Sequence, residues 1–489
     1  MKRIEYKYIV AMLAVFAIFM ELLDSTVVNV AIPTLQRDFD VRTASTIQWV
    51  ITGYLLSLAV FIPISGWAGD RFGTKRVFMF ALAVFSAASL LCALAWNIES
   101  LIAFRILQGV GGGMLSPVAF STLWRAFPPE ERSKAAGIMV VPAAVAPASG
   151  PIIGGLLLKY LTWHWIFIVN VPIGITALVI TFFYLKEHTE PNPGRFDPYG
   201  FALSATGLAS LLYALSQAGA NGFNDATVLA FGIAGIALMA TFVIVELRTK
   251  EPMLDVRIFT NTLFRACNMA WLVTMFAFGS MIFLLTLELQ AERGLSALQS
   301  GLVVFTMAVG VMLIAQPASR IYRVVGPQRM IALGLALSGA TYFALSQVDL
   351  GTSEWTLRGL MFVRGIGFGL VLVPLQAATY ATVTPAETGR ATAVYNATSQ
   401  FASSLGVAVA ASLLTSRLAH HAAQLGNPAT RAGALDAFQD SFFILGLIAI
   451  ASIAVAFFIS DRAAAPTMNT RIDAVPPDGA EIAAMPSGH

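Results

Sequence analysis

Charge is what this sequence has least of. Of its 489 residues only 12% are Asp, Glu, Lys or Arg, while 57% are hydrophobic and the mean hydropathy is +0.75. An ordinary soluble domain carries about 25% charge, so this chain has too little to cover a water-exposed surface of its size. The net charge of +3 gives no basis for a nucleic-acid partner, and none is expected. Cysteine is equally scarce. Cys92 and Cys267 lie in separate apolar runs, near opposite membrane faces, too far apart for a disulfide; two free, packed thiols and no metal site are expected. With five histidines in all, His420, His421 and His489 among those outside the apolar runs, no nucleophile–base or metal constellation stands out, which argues against an enzyme. No Gly-x-x-x-x-Gly-Lys-Ser/Thr loop is present, which argues against ATP drive within the chain.

What is abundant is apolar sequence in lengths of about 20 residues, enough to cross a bilayer as helices. Such runs fall near 8–31, 47–67, 76–96, 99–124, 134–158, 164–186, 199–219, 226–247, 266–289, 300–318, 329–347, 356–382, 391–415 and 438–460. They lack the alternation of a membrane β-barrel. The reading is an all-α polytopic membrane protein with about fourteen transmembrane helices and the lipid bilayer as its surroundings. Lys2, Arg3 and Lys7 precede the first run as in a signal peptide, but no small-residue cleavage site follows, so the run is read as a retained helix. Starting the N-terminus in the cytoplasm and crossing at every run puts 21 of the 30 Lys and Arg on inside segments and seven outside, with Arg105 and Arg364 within helices. That bias orients the chain with both termini cytoplasmic, a multi-pass protein of the bacterial inner (cytoplasmic) membrane.

The chain also repeats itself. Pro129-Glu130-Glu131-Arg132-Ser133-Lys134-Ala135 resembles Pro385-Ala386-Glu387-Thr388-Gly389-Arg390-Ala391, and Gly109, Gly111 and Gly113 meet Gly365, Gly367 and Gly369 at the same offset; Gly73 and Arg76 match Gly326 and Arg329. Two related halves follow: residues 1–190 as one six-helix bundle and 256–460 as the other, with an inserted helix pair in 191–255 and a disordered cytoplasmic tail over 461–489. Duplicated halves with a site between them are the architecture of secondary transporters.

Acids inside membrane helices are costly and mark functional sites. Glu21 and Asp24 are three residues apart, on one helix face, where two carboxylates in a low dielectric cannot both stay charged cheaply. Asp24, with Glu21 beside it, is therefore the candidate proton carrier; Glu21 is also a candidate for attracting a cationic substrate. Arg105 keeps its proton and needs an anion or carbonyl partner; it is read as tuning the acid on helix one, with purely structural bonding as the rival. Arg364 is read as structural. Glu288, ending the ninth run, is either a cation-recognition residue at the outer mouth or a solvated helix-end acid. In the loop 66–76, glycines permit a tight turn and Asp70 can accept from a neighbouring helix N-terminus, a contact that would latch one conformation; Gly66, Asp70, Arg71, Gly73 and Arg76 are its candidate residues. Ala146, Gly150 and Gly154, spaced by four with prolines interleaved, allow close helix approach.

These strings carry a family resemblance. Gly66-Trp67-Ala68-Gly69-Asp70-Arg71-Phe72-Gly73-Thr74-Lys75-Arg76 resembles the cytoplasmic signature of the major facilitator superfamily. Leu23-Asp24-Ser25-Thr26-Val27-Val28-Asn29-Val30-Ala31-Ile32-Pro33 is similar to the first-helix motif of its fourteen-helix drug:proton antiporters. Arg105-Ile106-Leu107-Gln108-Gly109-Val110-Gly111 resembles the buried-arginine motif, and Gly150-Pro151-Ile152-Ile153-Gly154-Gly155 the antiporter motif. Trp165-Ile166-Phe167-Ile168-Val169-Asn170-Val171-Pro172-Ile173-Gly174 is also typical of that branch. Ala146 replaces the usual Gly, and His164 stands where Arg is expected. The resemblance implies a major facilitator fold and a proton-coupled multidrug efflux permease working by alternating access, drawing on the proton gradient with no cofactor. Its substrate would be a small amphipathic, often cationic compound. A dedicated exporter of one metabolite, such as a siderophore or antibiotic, and a proton-coupled importer are the alternatives. A periplasmic adaptor protein stays open as a partner.

Overall fold

In hydrocarbon every backbone N–H and C=O must be satisfied internally, which leaves helices as the economical solution for apolar runs of this length. The computed structural model describes residues 5–40, 44–191, 194–249, 256–384 and 387–468, and among them it contains helices and no strand. In chain order these are α1 (Tyr6–Asp38), α2 (Ala44–Phe72), α3 (Thr74–Ala93), α4 (Ile98–Ala126), α5 (Arg132–Tyr160), α6 (His164–Ile168), α7 (Asn170–Tyr184), α8 (Pro198–Asn221) and α9 (Ala226–Arg248). They continue as α10 (Thr262–Leu287), α11 (Ala297–Val325), α12 (Pro327–Leu345), α13 (Glu354–Thr379), α14 (Thr388–His420), α15 (Arg431–Ala451), α16 (Ile453–Ala456) and α17 (Asp461–Ala464). Among the described residues, twelve stretches of helix are long and apolar enough to cross a membrane. The runs expected at 134–158 and 329–347 are helical as well, over the 29 residues of α5 and the 19 of α12.

Polar caps set many of the ends. Asn97 and Ser100 form a capping box at the start of α4, Ser296 and Gln299 another at α11. Asp225, Asn261 and Ser353 accept backbone N–H bonds at α9, α10 and α13, satisfying donors that a helix start leaves free. Gly73 (φ 98°) and Gly326 (φ 85°) turn the chain between α2 and α3 and between α11 and α12, a backbone region that favours glycine. They are the pair matched in the sequence repeat.

The repeat reappears in the packing. A Cβ on Gly109 would meet the Tyr54 carbonyl of α2, and one on Gly111 would meet Ala81 and Phe85 of α3. At the corresponding positions Gly365 lies against the Met307 carbonyl of α11 and Gly367 against Gly334 and Leu337 of α12. So α4 beds on α2 and α3 as α13 beds on α11 and α12, backbone to backbone, in the way small residues permit inside membranes.

The run 164–186 is spanned by α6 and α7, which meet at Val169 (φ −58°, ψ −29°) in helical conformation; Pro172 has no N–H for the Ile168 carbonyl one turn back. Helices reach past two of the runs, α14 to His420 and α15 from Arg431. One expectation needs correction. The tail is not disordered from Asp461: Asp461–Ala464 and Ala465–Thr467 are helical, Asp461 accepts from the Gln328 backbone N–H at 2.9 Å, and the hydroxyls of Tyr322 and Thr467 meet at 2.5 Å. The rest of the expected tail, from residue 469, lies outside the described residues. Both cysteines are buried and unpaired.

Because Gly109 is backed by α2, Gly109→Val should cost about 1–3 kcal/mol through overpacking and lower the thermal unfolding midpoint of the detergent-purified protein. Gly359→Ala, which meets nothing within 4 Å, should leave that midpoint unchanged.

Candidate functional site

Helices α1, α4 and α7 bring four polar side chains to one sealed point. The carboxylate of Asp24, 1% exposed, receives Arg105 Nη1 on Oδ2 at 2.5 Å. On Oδ1 it receives Gln108 Nε2 at 2.9 Å and Asn170 Nδ2 at 2.8 Å. Arg105 also donates from Nη1 to Gln108 Oε1 at 2.7 Å and from Nε to the Val50 carbonyl of α2 at 3.1 Å. Its guanidinium lies 4.1 Å from the centre of the Tyr54 ring. Ser89 of α3 closes the network, accepting from Gln108 and Asn170 at 3.2 Å each and donating to the Phe167 carbonyl at 2.9 Å. Every group facing Asp24 is a donor, the complement of an ionised carboxylate.

Glu21 is placed differently. It accepts from the hydroxyl of Ser116, farther along α4. Ser116 lies about two turns of α4 beyond Gln108, so the two acids reach different levels of that helix. Glu21 therefore shares a helix face with Asp24 but none of its partners. It lines a cavity of about 580 Å³ together with Ser25 and Asn29 of α1, Thr52 and Tyr54 of α2, and Gln400 and Ser403 of α14. A neighbouring apolar cavity of about 290 Å³ is walled by Phe278, Phe283, Met307 and Phe368 and shares Thr26, Pro147 and Ser403 with the first. Among the described residues lining the two, Glu21 is the one charged side chain. Asp24 and Arg105 line neither, and the Tyr54 ring stands between them and the larger space.

The cavities lie in the half of the molecule away from loop 66–76. At the loop's own end the two halves meet. The Asp70 carboxylate lies beside Gly389 in the first turn of α14, and Gly66 lies against the Gly389 carbonyl. Arg132 at the start of α5 donates to the Tyr380 carbonyl after α13, and Trp124 stacks on Tyr380 at 5.1 Å. Asp70 also pairs with Arg125 at 2.8 Å, and Arg125 with Glu190 at 3.2 Å. Gly73 approaches the Glu187 side chain, whose carboxylate is 3.6 Å from exposed Arg76 and accepts from the Lys75 N–H at 2.9 Å. Arg71 is exposed and takes no part in this closure.

In α5, Gly150 rests on Thr26 and Gly154 on the Val27 carbonyl, both of α1, while Gly155 faces Leu298 of α11. The side chain of Pro151 is outside the described residues. Glu288 departs from both readings offered for it: it is 1% exposed and accepts from Arg293 Nε at 3.0 Å, away from the cavities and from solvent. Arg364 donates to the carbonyls of Ala277 (2.9 Å) and Ser338 (3.2 Å) and to Thr341 Oγ1, with no carboxylate at hand.

A model of the Major Facilitator Superfamily matches residues 14–407, with a second, overlapping match over 267–476. The chain belongs to the major facilitator superfamily. It is 36% identical over 411 residues to the "Multidrug resistance protein B homolog" of Mycobacterium tuberculosis (strain ATCC 25618 / H37Rv), covering 83% of this chain and 76% of that one. It is 32% identical over 407 residues to the "Tetracenomycin C resistance and export protein" of Streptomyces glaucescens, covering 82% and 74%. Among solved structures, the proton:xylose symporter XylE superposes with a TM-score of 0.65 at 12% identity, over 94% of this chain and 97% of that one; this likeness bears on the fold alone. The major facilitator chain described here is thus a transporter of the multidrug efflux branch and not an enzyme.

Gln108, Asn170, Ser89, Tyr54 and Ser116 completed the site without having been singled out in the sequence. Arg105→Ala should be among the most damaging substitutions, because it leaves a buried carboxylate unpaired at a cost of about 3–5 kcal/mol. The thermal midpoint of the purified protein should fall sharply for Arg105→Ala. It should recover most of that loss in the double variant Asp24→Asn/Arg105→Gln, which removes both charges.

Proposed function

We propose that this transporter is a proton-coupled antiporter that exports small amphipathic, often cationic compounds by alternating access. The observation that carries this reading is the split between two acids of one helix: Asp24 sealed against Arg105, and Glu21 set in the cavity wall. A proton arriving on Oδ2 of Asp24 takes the place of the Arg105 contact. Arg105 keeps its charge and falls back on Gln108 Oε1 and the Val50 carbonyl, already within reach. Asp24, now neutral, no longer ties α1 to α4 and α7 with the same strength. The cavity closes as the halves rock, with α5 sliding on α1 along Gly150 and Gly154. Glu21, the lone charge in an otherwise uncharged and partly aromatic cavity, fits the recognition of a cation, and its proton and the substrate compete for one carboxylate.

On this reading α5 and α12 cross the bilayer with the twelve other stretches, making fourteen spans in two six-helix halves with α8 and α9 inserted. Both termini are cytoplasmic, in a bacterial inner membrane. Loop 66–76 is then cytoplasmic, and the contacts of Asp70 and Gly66 with α14 latch that side shut while the cavity faces outward. Export of a single metabolite is the second reading, favoured by the naming of one relative as a tetracenomycin C resistance and export protein.

In a pump-deficient host, efflux of a cationic dye should require a proton gradient and be lost in Asp24→Asn. Gradient-dependent efflux that survives Asp24→Asn unchanged would overturn the coupling role. Glu21→Gln should weaken apparent affinity for a monovalent cationic dye about tenfold, the equivalent of about 1.4 kcal/mol, while leaving a neutral substrate nearly unaffected. Equal losses for both would remove Glu21 from cation recognition.

A further inference from the structure

The inserted pair, α8 and α9, divides sharply by environment. α9 presents Leu229, Ile233 and Ile236 outward, the last two about two-thirds exposed (66% and 64%). α8 instead lies across the seam where α2 of the first half and α14 of the second diverge. On the α2 side Tyr213 stacks on Trp49 at 5.9 Å, and Phe201 meets Phe61 edge to face at 6.4 Å. On the α14 side Ala218 and Leu215 form one apolar cluster with Ala408. The same turn of α8 turns Leu212, Leu215 and Ser216 into the 580 Å³ cavity, opposite Glu21.

We infer that α8 is a wall of the substrate cavity and helps set which compounds are accepted, with Leu215 and Ser216 as its specificity-determining contacts. The inference deepens the export reading and rests on it for the word substrate. The geometry behind it is independent of proton coupling. Beside the α2 and α14 residues that line the cavity, α8 contributes two leucines and one hydroxyl. Leu212 lines the cavity as well but, at 6% exposed, offers it little surface, whereas half-buried Leu215 and Ser216 present more to the space that a bound molecule occupies. A wall of this kind discriminates by shape. A larger side chain at position 215 subtracts volume from the side opposite Glu21, so bulky amphipathic cations lose more than compact ones.

Two measurements on the full chain test this separately. The first is labelling by a membrane-impermeant maleimide in membranes opened to reagent on both faces. Ser216→Cys should react at least about tenfold faster than Ile233→Cys on the outer side of α9, over a background kept low by the burial of Cys92 and Cys267. Equal rates would place Ser216 away from water and overturn the inference. The second is dye efflux with a compact and a bulky cation, ethidium and rhodamine 6G. Leu215→Trp should lower the efflux ratio of rhodamine 6G to ethidium at least about fivefold, and Leu212→Ala should not lower it. A parallel loss of both dyes in Leu215→Trp would overturn the specificity role. If the wild type moves neither dye the export reading fails, while the labelling result still decides whether α8 lines the cavity.

Discussion

The organising constraint of this molecule is that a carboxylate and a guanidinium share a space sealed from water and from lipid. Neither charge tolerates that setting alone, so everything nearby is arranged to complete them. Gln108 bridges both, Asn170 and Ser89 orient the side of Asp24 that Arg105 does not reach, and a carbonyl of α2 takes the guanidinium Nε–H. Four helices and the α6–α7 junction converge on it. The junction is itself part of the arrangement. Pro172 lacks the N–H that the Ile168 carbonyl would take, Asn170 at the head of α7 turns inward to Asp24, and the neighbouring Phe167 carbonyl accepts from Ser89.

Around this fixed point the packing is done largely by glycine. α4 and α13 approach their neighbours so closely that a Cβ would strike backbone at Gly109, Gly113, Gly310 and Gly365. α5 uses Gly150 and Gly154 on α1 in the same manner. Contacts of this kind hold by shape more than by specific bonds, so they can slide. At the end that bears loop 66–76 the halves are joined by Arg132 on the Tyr380 carbonyl and by Asp70 and Gly66 beside Gly389, while Arg125 and Glu190 hold Asp70 in place within the first half. Under the proposed alternating access, that end is the one that opens and shuts.

Much of this was legible in the sequence. The apolar runs marked the helices because a bilayer permits little else, the paired glycines Gly73 and Gly326 marked equivalent turns, and Asp24 with Arg105 stood out because membrane interiors punish isolated charge. What stayed hidden depends on neighbours rather than on composition. Gln108, Asn170 and Ser89 are uncharged, and an amide in a membrane helix raises no alarm until its partner is known. That Glu21 and Asp24 face different environments follows from which turn of α4 each one meets, which spacing along α1 alone does not reveal. Glu288 was misjudged for the same reason, since Arg293 lies past a π-helical turn, a distortion that periodicity does not anticipate. The docking of Asp461 on α12 and of Thr467 on Tyr322 was masked by an Ala- and Pro-rich composition that reads as unstructured.

The two halves share a plan and differ in temperament. Where α1 carries Asp24, the equivalent stretch of α10 carries Ala277 and Ser280, and the arginine nearest to it, Arg364, is held by carbonyls, a threonine hydroxyl and the face of Tyr342. None of those partners gains or loses a proton in ordinary conditions. Under the proposed proton coupling, the first half holds the two electrical states and the second holds one, so a machine built from near-copies has a moving side and a reference side.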